Sequence, residues 1–162
     1  MNKLVRVMML SGAVFFSGLG PVQAATDSVV VTASIQEVVD VTVTATDASF
    51  NVTAGTAVTD QSIATIAINS NDPDGYDVTL AGTTATSVLE NGDGDETMAY
   101  TVKYDGGDAI EVTTTPTNVE NVTTQTSGSV NRALTLSISG SESVGKSAES
   151  FTDTITVEIV GK

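Results

Sequence analysis

Apolar and polar residues alternate along most of the chain, and this period of two predicts β-strands rather than helices. The apolar positions that share a face are Val39, Val41 and Val43; Ala64, Ile66 and Ile68; Tyr76, Val78 and Leu80; Met98, Tyr100, Val102 and Tyr104; Ile110 and Val112; Leu134, Leu136 and Ile138; and Ile155, Val157 and Ile159. The positions between them are mostly Thr, Ser, Asp, Glu or Lys, as in strands with one face in a core and the other in water.

Turn-forming residues separate these strands. Clusters of Asn, Asp, Gly and Pro occupy Asn71–Gly75, Asn91–Asp95 and Asp105–Asp108, and the last of these is predicted to close a hairpin. Short strands at this spacing, with no helical pattern beyond the first 24 residues, predict an all-β domain. We expect an immunoglobulin-like Greek-key sandwich, with a closed barrel as the alternative.

The first 24 residues have the pattern of a secretory signal peptide. Lys3 and Arg6 give a positive start, Val7–Leu19 is apolar, and Val22-Gln23-Ala24 offers the small residues of a cleavage site. We therefore expect an exported protein whose mature chain begins at Ala25.

A short apolar strand is predicted directly behind the signal peptide, over Ser28–Ile35. One face carries Val29, Val31, Ala33 and Ile35, and the other carries Val30, Thr32 and Ser34. A strand at a free N-terminus pairs either within its own domain or with the next molecule, and that choice decides the function.

The composition of the mature chain limits its partners. Cleavage after Ala24 leaves 162 − 24 = 138 residues, with four basic and twenty acidic side chains, so the net charge is 4 − 20 = −16. Such a chain repels nucleic acid and anionic lipid, and we expect neither as a partner. No later apolar stretch is long enough to span a bilayer, so no membrane insertion is expected.

The side chains that most enzymes use are missing. The sequence has no His and no Cys, which excludes a Ser–His–Asp triad, a catalytic thiol and disulfides. Paired carboxylates could support glycoside hydrolysis, but the acids lie in turns and on outward strand faces without aromatic platforms nearby. We therefore expect no catalytic residues and no cofactor. Lys103 and Arg132 are expected to pair with acids, and Tyr100 and Tyr104 to pack in the core.

One acidic turn partly matches a calcium loop. Asn91, Asp93 and Asp95 occupy its first three alternating ligand positions. The sixth position is Glu96 where the loop needs Gly, and the twelfth is Val102 where it needs a bidentate Glu. We expect no metal site here, only solvated turn carboxylates.

Both ends of the mature chain resemble a known family. Ser28–Ile35 followed by Glu37–Val43 resembles the start of cysteine-free chaperone–usher pilins. Ser150–Ile159, with its Phe151-Thr152-Asp153 step into an alternating strand, is similar to the final strand of the F1 capsular antigen type.

The resemblance implies a fold and a mode of assembly. It implies an immunoglobulin-like sandwich over 38–162 that lacks its last strand, and an N-terminal donor strand over 25–37 that completes the next copy. It assigns Val29, Val31, Ala33 and Ile35 to the donor strand, and Phe151, Ile155, Val157 and Ile159 to the edge of the acceptor groove. The implied partners are other copies of the chain, a periplasmic chaperone and an outer-membrane usher, and the implied location is the periplasm and then the cell surface.

Other interpretations stay open at this point. The protein could be a monomeric exported sandwich whose N-terminal strand pairs in its own sheet and whose loops bind a glycan, a protein or calcium. It could be another component of an extracellular matrix. The stretch Ser141–Ser150 could hold the strand that completes the sandwich.

Overall fold

The computed structural model describes residues 29–126 and 128–162, so the predicted signal peptide and cleavage site lie outside the described residues. The strands are β1 (Val39–Ala45), β2 (Val58–Ser70), β3 (Tyr76–Ala81), β4 (Val88–Asn91), β5 (Thr97–Tyr104), β6 (Ala109–Ile110), β7 (Thr117–Val122), β8 (Ser129–Ile138), β9 (Phe151–Thr152) and β10 (Thr156–Gly161). Over the same residues, one 3-10 turn is present, at Gly140–Ser143. None of the described residues forms a helix long and apolar enough to cross a membrane.

The strands form two antiparallel sheets, and this confirms the predicted all-β sandwich. The large sheet has seven strands in the order β1-β2-β8-β5-β4-β9, with β6 added beside β5. The small sheet has three strands in the order β10-β3-β7. All the pairings are antiparallel.

The core lies between the sheets and uses the faces that alternation predicts. The most deeply buried strand is β3, where Tyr76, Val78 and Leu80 are at most 1% exposed. Ile66 and Ile68 of β2 and the inward residues of β5 and β8 complete it, including the predicted core tyrosines Tyr100 and Tyr104. Since strands place successive side chains on opposite faces, their polar neighbours point to solvent.

The predicted hairpin at Asp105–Asp108 is confirmed. It joins β5 to β6, and the N–H of Gly107 donates to the Tyr104 carbonyl at 2.9 Å. Asp105 and Gly106 have φ of 49° and 74°, the left-handed values that a tight hairpin turn of this type needs.

Two strands are not predicted by the hydrophobic pattern. In β4, four residues are too few to show alternation. In β7, Val119 and Glu120 are both half-buried, because the register with β3 shifts between Val78 and Thr79. Such a bulge breaks the period of two on which the prediction relies.

The last predicted strand, Ser150–Ile159, is two strands. β9 pairs with β4 in the large sheet, and β10 pairs with β3 in the small one. Between them, Asp153 accepts hydrogen bonds from the hydroxyl of Thr83, from Tyr100 Oη at 2.6 Å and from the Thr154 N–H at 2.7 Å. These bonds fix the crossover of the chain from one sheet to the other.

Two further segments contain no strand. Residues 144–150 follow the 3-10 turn without pairing to any described residue as a strand, so they do not complete the sandwich. Residues 29–38 form no strand either. The chain divides into two compact units, one that ends at Ser34 and one that spans Ile35–Lys162. The sandwich belongs to the second unit. Residues 29–34, the described part of the first unit, have no regular secondary structure.

A polar contact ties the two sheets together on the side of β7. Arg132 of β8 donates to Glu120 of β7 through Nε at 3.1 Å and Nη2 at 2.5 Å, and Tyr104 Oη donates to the same carboxylate at 2.5 Å. Arg132 also lies 3.3 Å from Asp105. Burial alone would raise the pKa of Glu120, but the hydrogen bonds from Arg132 and Tyr104 outweigh it, so the pKa lies below its usual range.

Candidate functional site

The edge of β10 is where the described sandwich differs from the immunoglobulin type. In immunoglobulin-type sandwiches, whose strands are lettered in chain order, the spatial orders in the two sheets are A-B-E-D and C-F-G. Here β1, β2, β8 and β5 follow the first order, and β3 and β10 stand where C and F do. Among the described residues no strand occupies the position of G beside β10, so every second residue of β10 turns its N–H and C=O toward an open edge.

An apolar groove opens beside this edge, between the two sheets. We call it the intersheet groove, and its volume is about 850 Å³. Its floor is Ile63, Ala64, Leu89, Met98, Tyr100, Leu134 and Leu136; its sides are Val43, Ala45, Phe50, Val52, Phe151, Asp153, Ile155 and Val157. Most of these residues belong to, or pack against, the hydrophobic core, so the groove opens directly onto the core.

The exposure of side chains along β1 shows where the groove is open to water. Its inward residues Val39 and Val41 are half-buried, whereas Val43 is 47% exposed and Ala45 is exposed. These four side chains share one face of the strand, so the increase in exposure from Val39 to Ala45 is not caused by alternation between the two faces. The groove is therefore closed at the start of β1 and open toward its end.

The turn between β2 and β3 closes the groove at that end. The N–H of Asn71 donates to the Val38 carbonyl at 3.0 Å, and the N–H of Lys162 donates to Asp72 Oδ2 at 2.9 Å. The same turn therefore holds the residue before β1 through the Asn71 N–H and the residue after β10 through the Asp72 side chain. β1 begins where β10 ends.

Two loops border the open end. One contains Phe50 and Val52, and the other, residues 146–150, is held to the Asn91–Glu96 turn. Asn91 Nδ2 donates to Glu149 Oε2 at 3.0 Å, and the N–H of Ser147 donates to Glu96 Oε2 at 2.9 Å. The acidic turn weighed as a calcium loop therefore serves to anchor a wall of the groove.

Asp153 is the charged side chain at the junction of this wall with β10. Burial would raise its pKa, but hydrogen bonds from Thr83, Tyr100 and two backbone N–H groups outweigh that effect, and its pKa lies below the usual range. The groove thus has an apolar floor, and its borders carry polar and charged side chains, among them Lys146, Glu149 and the ionised Asp153.

The structure places the predicted acceptor residues on three different segments. Phe151 lies in β9, Ile155 just before β10 and Val157 within β10, and all three line the intersheet groove. Ile159 is not among the lining residues; it is half-buried against the core nearer the closed end.

The predicted donor residues are exposed in the single chain. Val29, Val31 and Ile35 are 86%, 85% and 92% exposed, and Ala33 is exposed as well. In the single chain these apolar side chains are in contact with water, and exposing several apolar side chains close together is unfavourable.

The floor of the groove was not predicted as part of a site. Ile63, Leu134 and Leu136 carry the ordinary pattern of buried strand residues. Which buried residues lie beside an open strand edge depends on how distant strands pair, and no residue of the floor signals that position. In the sequence only the resemblance at the two ends of the chain indicated it.

A second hollow of about 530 Å³ lies near the start of β2 and the end of β8. Thr59, Thr86, Ser87, Thr101, Ser137 and Ser139 contribute much of its wall. It does not follow the unpaired edge of β10, and it is smaller than the intersheet groove. The intersheet groove is the better candidate for a functional site.

The chain matches no known protein-family model, and no curated protein resembles it significantly. The geometry of the groove therefore has to carry the functional argument by itself.

Proposed function

We propose that this chain is the structural subunit of a bacterial surface fibre assembled by donor-strand exchange. In this proposal, residues 29–35 of one copy fill the intersheet groove of the next copy and pair with β10. The observation that carries it is the uncovered apolar gap beside the open edge of β10, at the place where the complete fold has a strand.

The donor segment fits the groove in length and pattern. β10 has six residues, about 20 Å at the usual rise per residue, and the seven residues 29–35 span about 23 Å when extended. With Val29, Val31, Ala33 and Ile35 turned inward, four aliphatic side chains cover the apolar floor of the groove. Val30, Thr32 and Ser34 then face water, like the outward residues of the other strands.

The binding free energy would have two sources. Main-chain hydrogen bonds along β10 supply affinity, and alternate side chains in the groove set the register. Each buried Val or Ile adds roughly 1.5–3 kcal/mol from the hydrophobic effect. Because the donor and the groove are different surfaces of the same chain, the contact is heterologous, and repeating it builds a fibre.

The same surfaces need protection before assembly. An open apolar groove and an exposed apolar segment are both prone to aggregation. A periplasmic chaperone that covers the groove and an outer-membrane usher that exchanges it for the next donor strand fit this need. We propose both as partners of this chain. We also propose that the signal peptide directs its export.

Charged substitutions on the two faces of the donor segment test the mechanism. Val31→Asp puts a charge into the groove at a cost of several kcal/mol, so polymers should be lost. Val30→Asp puts the same charge on the outward face and should assemble normally. The readout is the ladder of multimers that survives mild heating in detergent on a gel.

A peptide of residues Ala25–Glu37 separates assembly from folding. Val31→Asp subunits should bind this wild-type peptide, because their own groove is intact. Equal behaviour of the two variants would contradict the alternating donor strand. A single band from the wild type, with no binding of the peptide, would instead favour a monomeric binding module.

A further inference from the structure

Asn71 holds the chain just before β1 by three hydrogen bonds, which we call the Asn71 clamp. Its Oδ1 accepts from the Val38 N–H at 2.6 Å, and its Nδ2 donates to the Gln36 carbonyl at 2.9 Å. Its own N–H donates to the Val38 carbonyl at 3.0 Å. The side chain thus continues the β1–β2 ladder past the last paired residues, Val39 and Ser70.

The clamp fixes the direction of the chain through residues 36–38. In an extended chain, the backbone groups of residues two apart point to the same side. Gln36 and Val38 both turn their polar groups toward Asn71, so the chain runs on past the end of β2 and does not reverse between them.

This direction matters for the donor segment. To enter the groove of its own subunit, the segment would have to fold back along β1 as a hairpin. With residues 36–38 clamped, the turn has to lie before Gln36, which takes Ala33 and Ile35 out of the inserted strand. Since β1 begins where β10 ends, the inserted strand would also run parallel to β10, the slightly less stable pairing.

The turn that carries Asn71 is itself rigid. The N–H of Asp74 donates to Asp72 Oδ1 at 2.9 Å, and the N–H of Gly75 donates to the Asp72 carbonyl at 3.2 Å. Gly75 has φ of 91°, and a Cβ at this position would collide with the Val122 carbonyl. Gln125 Nε2 also donates to the Asn71 carbonyl at 3.1 Å.

We infer that Asn71 is a positioning residue that keeps the N-terminal segment out of its own groove and so commits it to a neighbouring copy. The inference rests on the proposed strand exchange and adds a regulatory element to it. Without the clamp, residues 36–38 would be free to form the turn, and all four donor side chains could enter the subunit's own groove.

Asn71→Ala tests this inference, with Asn69→Ala as the matched control two residues earlier on the exposed side of β2. The loss of two side-chain hydrogen bonds should raise the ratio of monomer to polymer roughly tenfold. The new monomers should show slowed amide hydrogen exchange over residues 29–35 and should fail to bind the Ala25–Glu37 peptide. Asn69→Ala should assemble like the wild type.

A second variant leaves Asn71 and its turn untouched. Insertion of Gly-Ser-Gly-Ser between Ile35 and Gln36 supplies a turn outside the clamp, so it should also produce self-filled monomers. This variant keeps the test decisive if Asn71→Ala fails to fold.

The outcomes separate the inference from the proposed function. If both variants polymerise like the wild type, the clamp has no role, although strand exchange stands. Monomers with fast exchange over residues 29–35 would also overturn the inference. If the wild type forms no ladder and binds no peptide, strand exchange is wrong and the clamp falls with it.

Discussion

The two sheets meet differently along the two lateral sides of the sandwich. On the side of β7, Glu120 of the small sheet reaches Arg132 and Tyr104 of the large sheet, and every group in the contact has a partner. On the side of β10, Val157 and Val43 line an open apolar groove. The first side is closed by a polar contact within the chain, whereas on the second side a buried apolar floor lies beside exposed apolar side chains such as Val43.

Under the proposed strand exchange, this difference lets one small domain both fold and bind a neighbouring copy. A satisfied polar contact gains nothing from an added strand, because its donors and acceptors are already paired. An uncovered apolar groove beside an open strand edge gains both hydrophobic burial and main-chain hydrogen bonds. Stability of the subunit and affinity for a neighbour are therefore expected to respond to different residues.

The largest expected effect is on the closed side. Arg132→Ala leaves the Glu120 carboxylate, whose side chain is only 13% exposed, without its cation. We expect the free energy of unfolding to fall by roughly 2–4 kcal/mol, since breaking a largely buried ion pair is costly. Urea unfolding of the purified variant measures this loss.

Lys103→Ala is the matched control for that substitution. Lys103 pairs with Asp60 at 2.9 Å, but the two side chains are 35% and 46% exposed. An ion pair this open to water contributes less than about 1 kcal/mol. Equal losses in the two variants would mean that the contact across β7 does not hold the sheets together.

The next effect concerns the open side and should spare the subunit. Val43→Asn replaces an apolar side chain that is already 47% exposed, so the free energy of unfolding should change by less than about 1 kcal/mol. Under a donor strand the amide would be buried without a partner, which should weaken binding of the Ala25–Glu37 peptide about tenfold to a hundredfold.

Thr42→Asn controls for the change of side chain on the same strand. Thr42 is exposed on the opposite face of β1, so neither stability nor peptide affinity should change measurably. Fluorescence anisotropy of labelled peptide gives the affinities. A Val43→Asn subunit that is strongly destabilised but still binds the peptide would reverse the proposed contrast between the two sides.

The sequence predicts the closed parts of the molecule better than the open ones. Residues such as Val78 and Val102 are buried on both the predicted and the observed strands, because alternation reports which face meets a core. β7 escaped prediction since its bulge puts Val119 and Glu120 at similar depth. Asp153 ends the alternating run of Ser150–Ile159 through side-chain contacts with distant residues.

Long-range features of the site are outside the reach of a sequence pattern. Residues 29–35 have the sequence pattern of a strand, but a strand forms only by pairing with another strand. In the described part of the single chain, these residues pair with no strand. The Asn71 clamp joins residues that are 33 and 35 positions apart, and Asn71 itself reads only as part of a turn. Spatial proximity of this kind depends on the complete fold.

The smallest expected effect is on the pH dependence of the closed side. The folded-state pKa of Glu120 lies below its ordinary value of 4.5, so the ionised form is stabilised by folding. Its contribution is fully present above the unfolded-state pKa and is lost as the pH falls through the lower folded-state pKa. Glu120→Gln should therefore cost about 1–2 kcal/mol at neutral pH, and this difference from the wild type should shrink as the pH approaches 3.

Glu158→Gln separates the local contact from the general effect of charge. It removes one carboxylate from the exposed face of β10 without touching Arg132 or Tyr104. Asp153, whose folded pKa is also lowered, is present in all three proteins, so its contribution cancels in the comparison. Urea unfolding at several pH values between about 3 and 7 gives the three curves. A wild-type minus Glu120→Gln difference that stays constant over this range would show that the Glu120–Arg132 charge pair does not stabilise the closed side.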